Sequence, residues 1–180
     1  MTITDLIERL EKATGPSREL EARIRHELLC PPDAYVAQSP INGAWCIYRG
    51  ENNGRPNLYE RAYEVPFEVW RGEYTASIDA VLGLLSHVLP GWAWSACSCC
   101  FTDDAQIWPD FNSKENGERL RREFPELLVP NREWHQPEME WIEFTDVALS
   151  PPGRPAIALC ISLLTAMERI NELKAKADGK

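Results

Sequence analysis

The sequence reads as an α/β protein, a three-layer α/β/α sandwich in which a mixed or antiparallel sheet is covered by helices. Three observations lead there. Four segments repeat apolar residues at helical spacing, and short extended pieces with Asn-Gly turn signals lie between them. The stretch Trp92 to Phe101 is apolar at both alternating sets of positions, the pattern of a central strand covered on both sides. At 180 residues the chain fits a single domain, 1–180, large enough to bury most of the surface its unfolded form exposes.

The first helix is expected over Thr4 to Ala13, where Leu6, Ile7 and Leu10 form one stripe and Asp5 sits near the positive end of the dipole. Gly15-Pro16-Ser17 breaks it, and Ser17 offers an N-cap for a helix from Arg18 to Leu29. Extended pieces follow at Ala34 to Gln38 and Ala44 to Tyr48. The next helix runs from about Ser77 to Leu89 with a broad apolar face, capped by Thr75 or Ser77 and stopped by Pro90-Gly91. Ala105 to Trp108 can return beside the Trp92 strand after an Asp103-Asp104 turn, and Glu140 to Leu149 reads as a further strand. Pro155 opens the terminal helix, where a first-turn proline is tolerated, and the tail 174–180 is expected to fray. Ile161, Leu164 and Ile170 exceed what one sheet face covers, which leaves room for a homo-oligomer through this helix.

Formal net charge is −9, and its placement matters more than its size. Between Phe101 and Ser150 twelve acids face five bases, so −7 of the −9 lies there. Such a field repels phosphates and disfavours direct nucleic-acid binding, while a basic protein surface would be drawn to it. No basic, apolar leader opens the sequence and no run of 18 apolar residues interrupts it, so a cytoplasmic protein without a membrane span is expected. The six cysteines are then expected as thiols or ligands.

Three blocks carry a resemblance: Leu10-Glu11-Lys12-Ala13-Thr14-Gly15-Pro16-Ser17-Arg18-Glu19-Leu20-Glu21-Ala22-Arg23-Ile24; Tyr74-Thr75-Ala76-Ser77-Ile78-Asp79-Ala80 with Leu89-Pro90-Gly91-Trp92; and Pro155-Ala156-Ile157-Ala158-Leu159-Cys160. With them the chain resembles the phage ABA sandwich domain family, small proteins of bacteriophages and prophages. The resemblance implies the α/β/α fold, a phage origin and a bacterial host cytoplasm, and it brings no established activity, cofactor or catalytic residue. The chain departs from the family pattern in the acidic insertion at about 103–153, which separates the Trp92 strand from the terminal helix.

Cys97-Ser98-Cys99-Cys100 could join Cys46, Cys160 or His87 around zinc, but alternate thiols on a strand stay nearly parallel, so buried thiols acting as small apolar residues are the expectation and no metal is assigned. Trp134, His135, Glu138, Glu140, Trp141 and Glu143 form the candidate partner-binding set, with tryptophan anchors among acids that steer toward a basic surface. Strand packing explains the segment from Trp134 to Trp141 equally well, and a hydrolase using His135 with the nearby carboxylates is a third reading; no nucleophile elbow, phosphate loop or metal helix accompanies it. Trp45, Tyr48, Arg55 and Tyr59 could stack on and pair with a nucleotide, or simply decorate a hairpin tip. The charged run Arg119-Leu120-Arg121-Arg122 among glutamates reads as a solvated helix face. The expectation that follows is a non-enzymatic phage accessory protein, without a cofactor, that binds a host or phage protein and inhibits antiviral defence in the manner of a DNA mimic. The alternative is a protein that sequesters a nucleotide signal.

Overall fold

A computed structural model of the chain describes residues 1–52, 55–60, 63–127, 129–130, 140–141 and 147–179. Helix α1 (Ile3–Glu11) opens with a capping box, in which Thr2 and Asp5 satisfy each other's backbone N–H. Helix α2 (Arg18–Leu29) begins at Ser17, whose hydroxyl accepts from the Leu20 N–H, as its sequence predicts. Strands β1 (Ala34–Gln38), β2 (Trp45–Asn52) and β3 (Arg55–Leu58) form an antiparallel meander in the order β1-β2-β3. A single-turn helix, α3 (Phe67–Trp70), precedes α4 (Ile78–Val88), which Ser77 caps.

Strands β4 (Trp92–Ser98) and β5 (Asp103–Pro109) make the expected hairpin. The charged helix α5 (Gly117–Glu123), a 3₁₀ turn at Pro125–Leu127 and the short pair β6 (Val129–Pro130) and β7 (Glu140–Trp141) follow. Strand β8 (Ala148–Ser150) then joins β5, giving a second antiparallel sheet in the order β4-β5-β8. Helix α6 (Pro155–Asp178) ends the described chain, with its proline in the first turn.

The α/β class holds, with helices packed on two antiparallel three-stranded sheets. Helix α6 lies on β4, β5 and β8, and its other sides meet α1 and α4; α1 packs on α2, and α2 rests on β1 and β2. Its residues from Ala156 to Leu164 are all buried, the state required of a helix that is apolar on every side. Ile161, Leu164 and Ile170 are therefore satisfied inside the chain, because α1 and α4 take the sides that the sheet leaves, and they offer no oligomer surface.

Two strand expectations are corrected. Among the described residues, strand β4 lies at the edge of its sheet and β5 is central. Serine and cysteine supply β4's outward alternation, and Ser95, Cys97 and Ser98 are exposed. Asp103 and Asp104 do not turn the chain. The reversal uses Cys99 to Thr102, closed by a Cys99 N–H bond to the Thr102 carbonyl at 3.1 Å, while Asp103 is wholly buried in β5. Its carboxylate accepts from the Ser98 hydroxyl and from the Arg154 N–H. An anion there faces the N-terminal end of α6, where the helix dipole favours it.

A second buried carboxylate ties α2 to the start of α4. Thr75, 3% exposed, donates its hydroxyl to Glu21 Oε1 at 2.9 Å and accepts the Ser17 N–H at 2.9 Å. Glu21 is equally buried, and Arg18 Nη1 holds its other oxygen at 3.1 Å. The second resemblance block, Tyr74 to Ala80, thus acts as a clamp on the first.

Candidate ligand groove

Helix α2, strand β2, the end of β3 and helix α3 enclose an open groove of about 880 Å³, within the size range of small-molecule sites. Arg18, Glu21 and Arg25 come from one face of α2, spaced three and four residues apart. Trp45 and Ile47 come from alternate positions of β2, and Tyr59 is held beside them by its N–H bond to the Ile47 carbonyl at 2.8 Å. Phe67, Trp70 and Arg71 close the other side from α3, followed by Glu73.

The groove is an arginine-rich spot on an acidic chain. Arg18 is already committed, with Nη1 on Glu21 at 3.1 Å and Nη2 on Glu73 at 2.6 Å. The Glu73 hydrogen bond and the two nearby carboxylates push its pKa up, so it stays a cation. Arg25 and Arg71 have no carboxylate partner among the described residues and rest on rings instead. The Arg25 guanidinium carbon lies 5.3 Å from the Trp70 ring centre and 5.9 Å from that of Tyr74; Arg71 lies 5.4 Å from Phe67. Arg25 Nε is buried without an acceptor, a donor that the fold leaves unused.

The aromatic surfaces are held at defined angles. Tyr59 meets Trp70 edge to face at 5.8 Å between ring centres, and Arg23 sits 5.5 Å over the Trp45 ring. Burial pushes the Tyr59 phenol up, so it remains a neutral hydroxyl at physiological pH. Chemically, the arrangement can hold a flat ring against Trp45, Tyr59 or Trp70 while Arg25 and Arg71 take an anionic group.

Of the four residues expected to bind a nucleotide, Trp45 and Tyr59 line this groove. Tyr48 and Arg55 do not. Tyr48 occupies the opposite face of β2, 7% exposed and stacked on Tyr35 at 5.8 Å, because alternate strand residues point apart. Arg55 is exposed at the β2–β3 hairpin end, paired across the strands with Asn52. Sequence reading missed Arg18, Arg25, Trp70 and Arg71. The polar stripe Arg18-Glu21-Arg25 could have been found as the counterpart of the Leu20, Ile24 and Leu28 face of the same helix.

Trp134, His135, Glu138 and Glu143 of the expected partner surface lie outside the described residues. Glu140 and Trp141 form β7, where Trp141 is paired with Val129 and Glu140 with Pro130. The expectation of buried thiols is corrected for Cys97, Cys99 and Cys100, which are exposed because they sit on the uncovered hairpin; Cys160 is buried. Burial pushes the Cys160 thiol up, and Cys30 is pushed up to about 12 by the same cause. Among the described residues, no three cysteine, histidine or carboxylate side chains are grouped to hold a metal ion, and no helix is long and apolar enough to cross a membrane.

Fold and groove together define an α/β protein with an aromatic, arginine-bearing cleft. Comparison with protein-family models, curated proteins and solved structures finds no match. The likeness to the phage ABA sandwich family therefore rests on the three sequence blocks.

Proposed function

We propose that the protein is a non-enzymatic binder of a small anionic ligand with a planar ring, a nucleotide being the fitting class, and that it holds this ligand in the α2–β2–α3 groove. The observation that carries the reading is the pair Arg25 and Arg71, two cations of the groove without carboxylate partners among the described residues, Arg25 over Trp70 and Arg71 over Phe67. Trp45 and Tyr59 supply the stacking surface expected from the sequence. In the bacterial cytoplasm of a phage-infected cell, as the resemblance suggests, such a protein would sequester a nucleotide signal of host defence. Calorimetric titration with mono-, di- and cyclic nucleotides tests this. Binding that weakens by about 10- to 100-fold in Arg25→Ala is expected for loss of one charge-assisted contact. Absence of heat with every nucleotide, and of any thermal stabilisation, would reject it.

A second reading keeps the acidic segment as a surface for a basic host or phage protein. Its support is the concentration of −7 between Phe101 and Ser150. Pull-down from infected cells, lost on charge reversal at Glu138, Glu140 and Glu143, is the expected result. An unchanged pull-down would remove those residues from the account.

A further inference from the structure

We infer that the ring this groove selects is guanine, read on its edge by the Glu73 carboxylate; the inference rests on the groove being a nucleotide site. Two carboxylates line the groove, Glu21 and Glu73. Glu21 belongs to the scaffold: it is 3% exposed, the Thr75 hydroxyl holds Oε1 at 2.9 Å and Arg18 Nη1 holds Oε2 at 3.1 Å. Glu73 differs on both counts. Its side chain is 53% exposed and bonds Arg18 Nη2 through Oε1 at 2.6 Å, which leaves Oε2 and a lone pair of Oε1 to accept from a ligand. A carboxylate accepts and cannot donate, so its lone pairs repel a ring edge that carries acceptors. Of the common bases, guanine alone sets two donors side by side, N1–H and the 2-amino group. Adenine and cytosine place an acceptor beside their amino group, and uracil flanks its one N–H with two carbonyls.

Glu73 is held in place before any ligand arrives. Its carbonyl accepts the N–H groups of Ala76 and Ser77 at 3.0 and 2.9 Å, and the next residue, Tyr74, is wholly buried with its hydroxyl bonded to the Val69 carbonyl. Arg18 bridges the Glu73 carboxylate to Glu21, which Thr75 fixes in turn, so the acceptor is anchored on the buried clamp between α2 and the start of α4. An acceptor fixed in advance loses little freedom on binding and discriminates sharply between ring edges. Charge sets the direction in which the ligand lies. A phosphate is repelled by Glu21 and Glu73 and drawn to Arg71 and to Arg25, whose Nε is a buried donor without an acceptor, and the base end is left to Glu73.

Calorimetric titration of the natural sequence with the monophosphates of guanosine, inosine and adenosine tests the edge at constant phosphate charge. Guanosine monophosphate is expected to bind about 10- to 100-fold more tightly than the adenosine compound, with inosine monophosphate, which lacks only the 2-amino group, between them. Glu73→Gln exchanges an acceptor for a donor, and it is expected to abolish this preference and to favour xanthosine monophosphate, whose N1–H adjoins a carbonyl. Arg25→Ala is expected to weaken all of these ligands by one common factor and to leave their ratios intact. Equal affinity for guanosine and adenosine monophosphates overturns the inference while the groove remains a nucleotide site. So does a Glu73→Gln protein that binds every nucleotide more weakly by the same factor, the result that a merely structural Glu73 would give. Absence of binding by all of them rejects the groove reading and this inference together. The comparison of the three ligands needs no variant, so it decides the matter even if Glu73→Gln fails to fold.

Discussion

Replacing Thr75 by valine keeps the shape of the side chain and removes its hydroxyl, which both donates to Glu21 and accepts from the Ser17 N–H. The Glu21 bond is made to an ionised group that is 3% exposed, and such bonds contribute about 1.5–3 kcal/mol. Loss of the Ser17 bond adds less, because that residue is half-buried and water can reach it. The two together give an expected destabilisation of about 3 kcal/mol, or roughly 6–12 °C in Tm for a domain of this size. Thr75→Ser is the control: it keeps both hydrogen bonds and loses one methyl, for about 1 kcal/mol. Urea unfolding followed by circular dichroism, with the slope unchanged between variants, measures the difference. A double-mutant cycle with Glu21→Gln should return a coupling of about 1 kcal/mol or more. If valine costs no more than serine, the clamp between α2 and the start of α4 carries no stability and the reasoning fails.

Other expectations follow from burial and backbone shape. Leu164→Ala, at a wholly buried site between α6 and its neighbours, is expected to lose about 3–5 kcal/mol in the same urea assay. Asp103→Ala leaves the Arg154 N–H and the Ser98 hydroxyl without their acceptor and should cost about 2 kcal/mol. Gly91→Ala places a Cβ 2.8 Å from Asn116 side-chain atoms at a φ of +82°, so strain and clash together should lower Tm by several degrees, about 1–3 kcal/mol by calorimetry. Alkylation read by mass spectrometry should modify Cys97, Cys99 and Cys100 in the native protein and spare Cys160 and Cys30 until denaturant is added. Because burial raises both protected thiols above their unfolded values, the folded state keeps protons that the unfolded chain releases. Stability is thus complete below about pH 8.5 and falls as pH rises beyond it, measurable as a Tm that declines in alkali.

Where a sequence signal was local, it carried through to the structure. Ser17 and Ser77 cap their helices because a hydroxyl before an apolar periodic run has one favoured use, and the Arg18–Leu29 and Ala34–Gln38 boundaries were legible to the residue. What alternation could not reveal was which side of β4 has a neighbour. Ser95 and Cys97 are small and weakly polar, equally at home under a helix or at a surface, so the pattern alone could not distinguish edge from centre. Asp103 misled for a related reason: an aspartate pair usually marks a turn, and only the arrival of Arg154 from 51 residues away makes burial favourable. The groove was half legible. Trp45 and Tyr59 could be named from the loop signals around them, but Arg25, Trp70 and Arg71 reach the same groove only through tertiary packing, α2 on β2 and α3 on α4.

The position of α6 has a kinetic consequence. It packs on α1, from the opposite end of the sequence: Thr4 bonds Glu168 across 164 residues, and Arg154 Nη1 reaches the Ala13 carbonyl across 141. Contacts so distant along the chain form only after the entropy of closing very long loops has been met, so folding should be slow for a protein of this length. Until α6 docks, β4, β5 and β8 expose the face that it will cover. The interval before docking is when association between chains competes with folding within one.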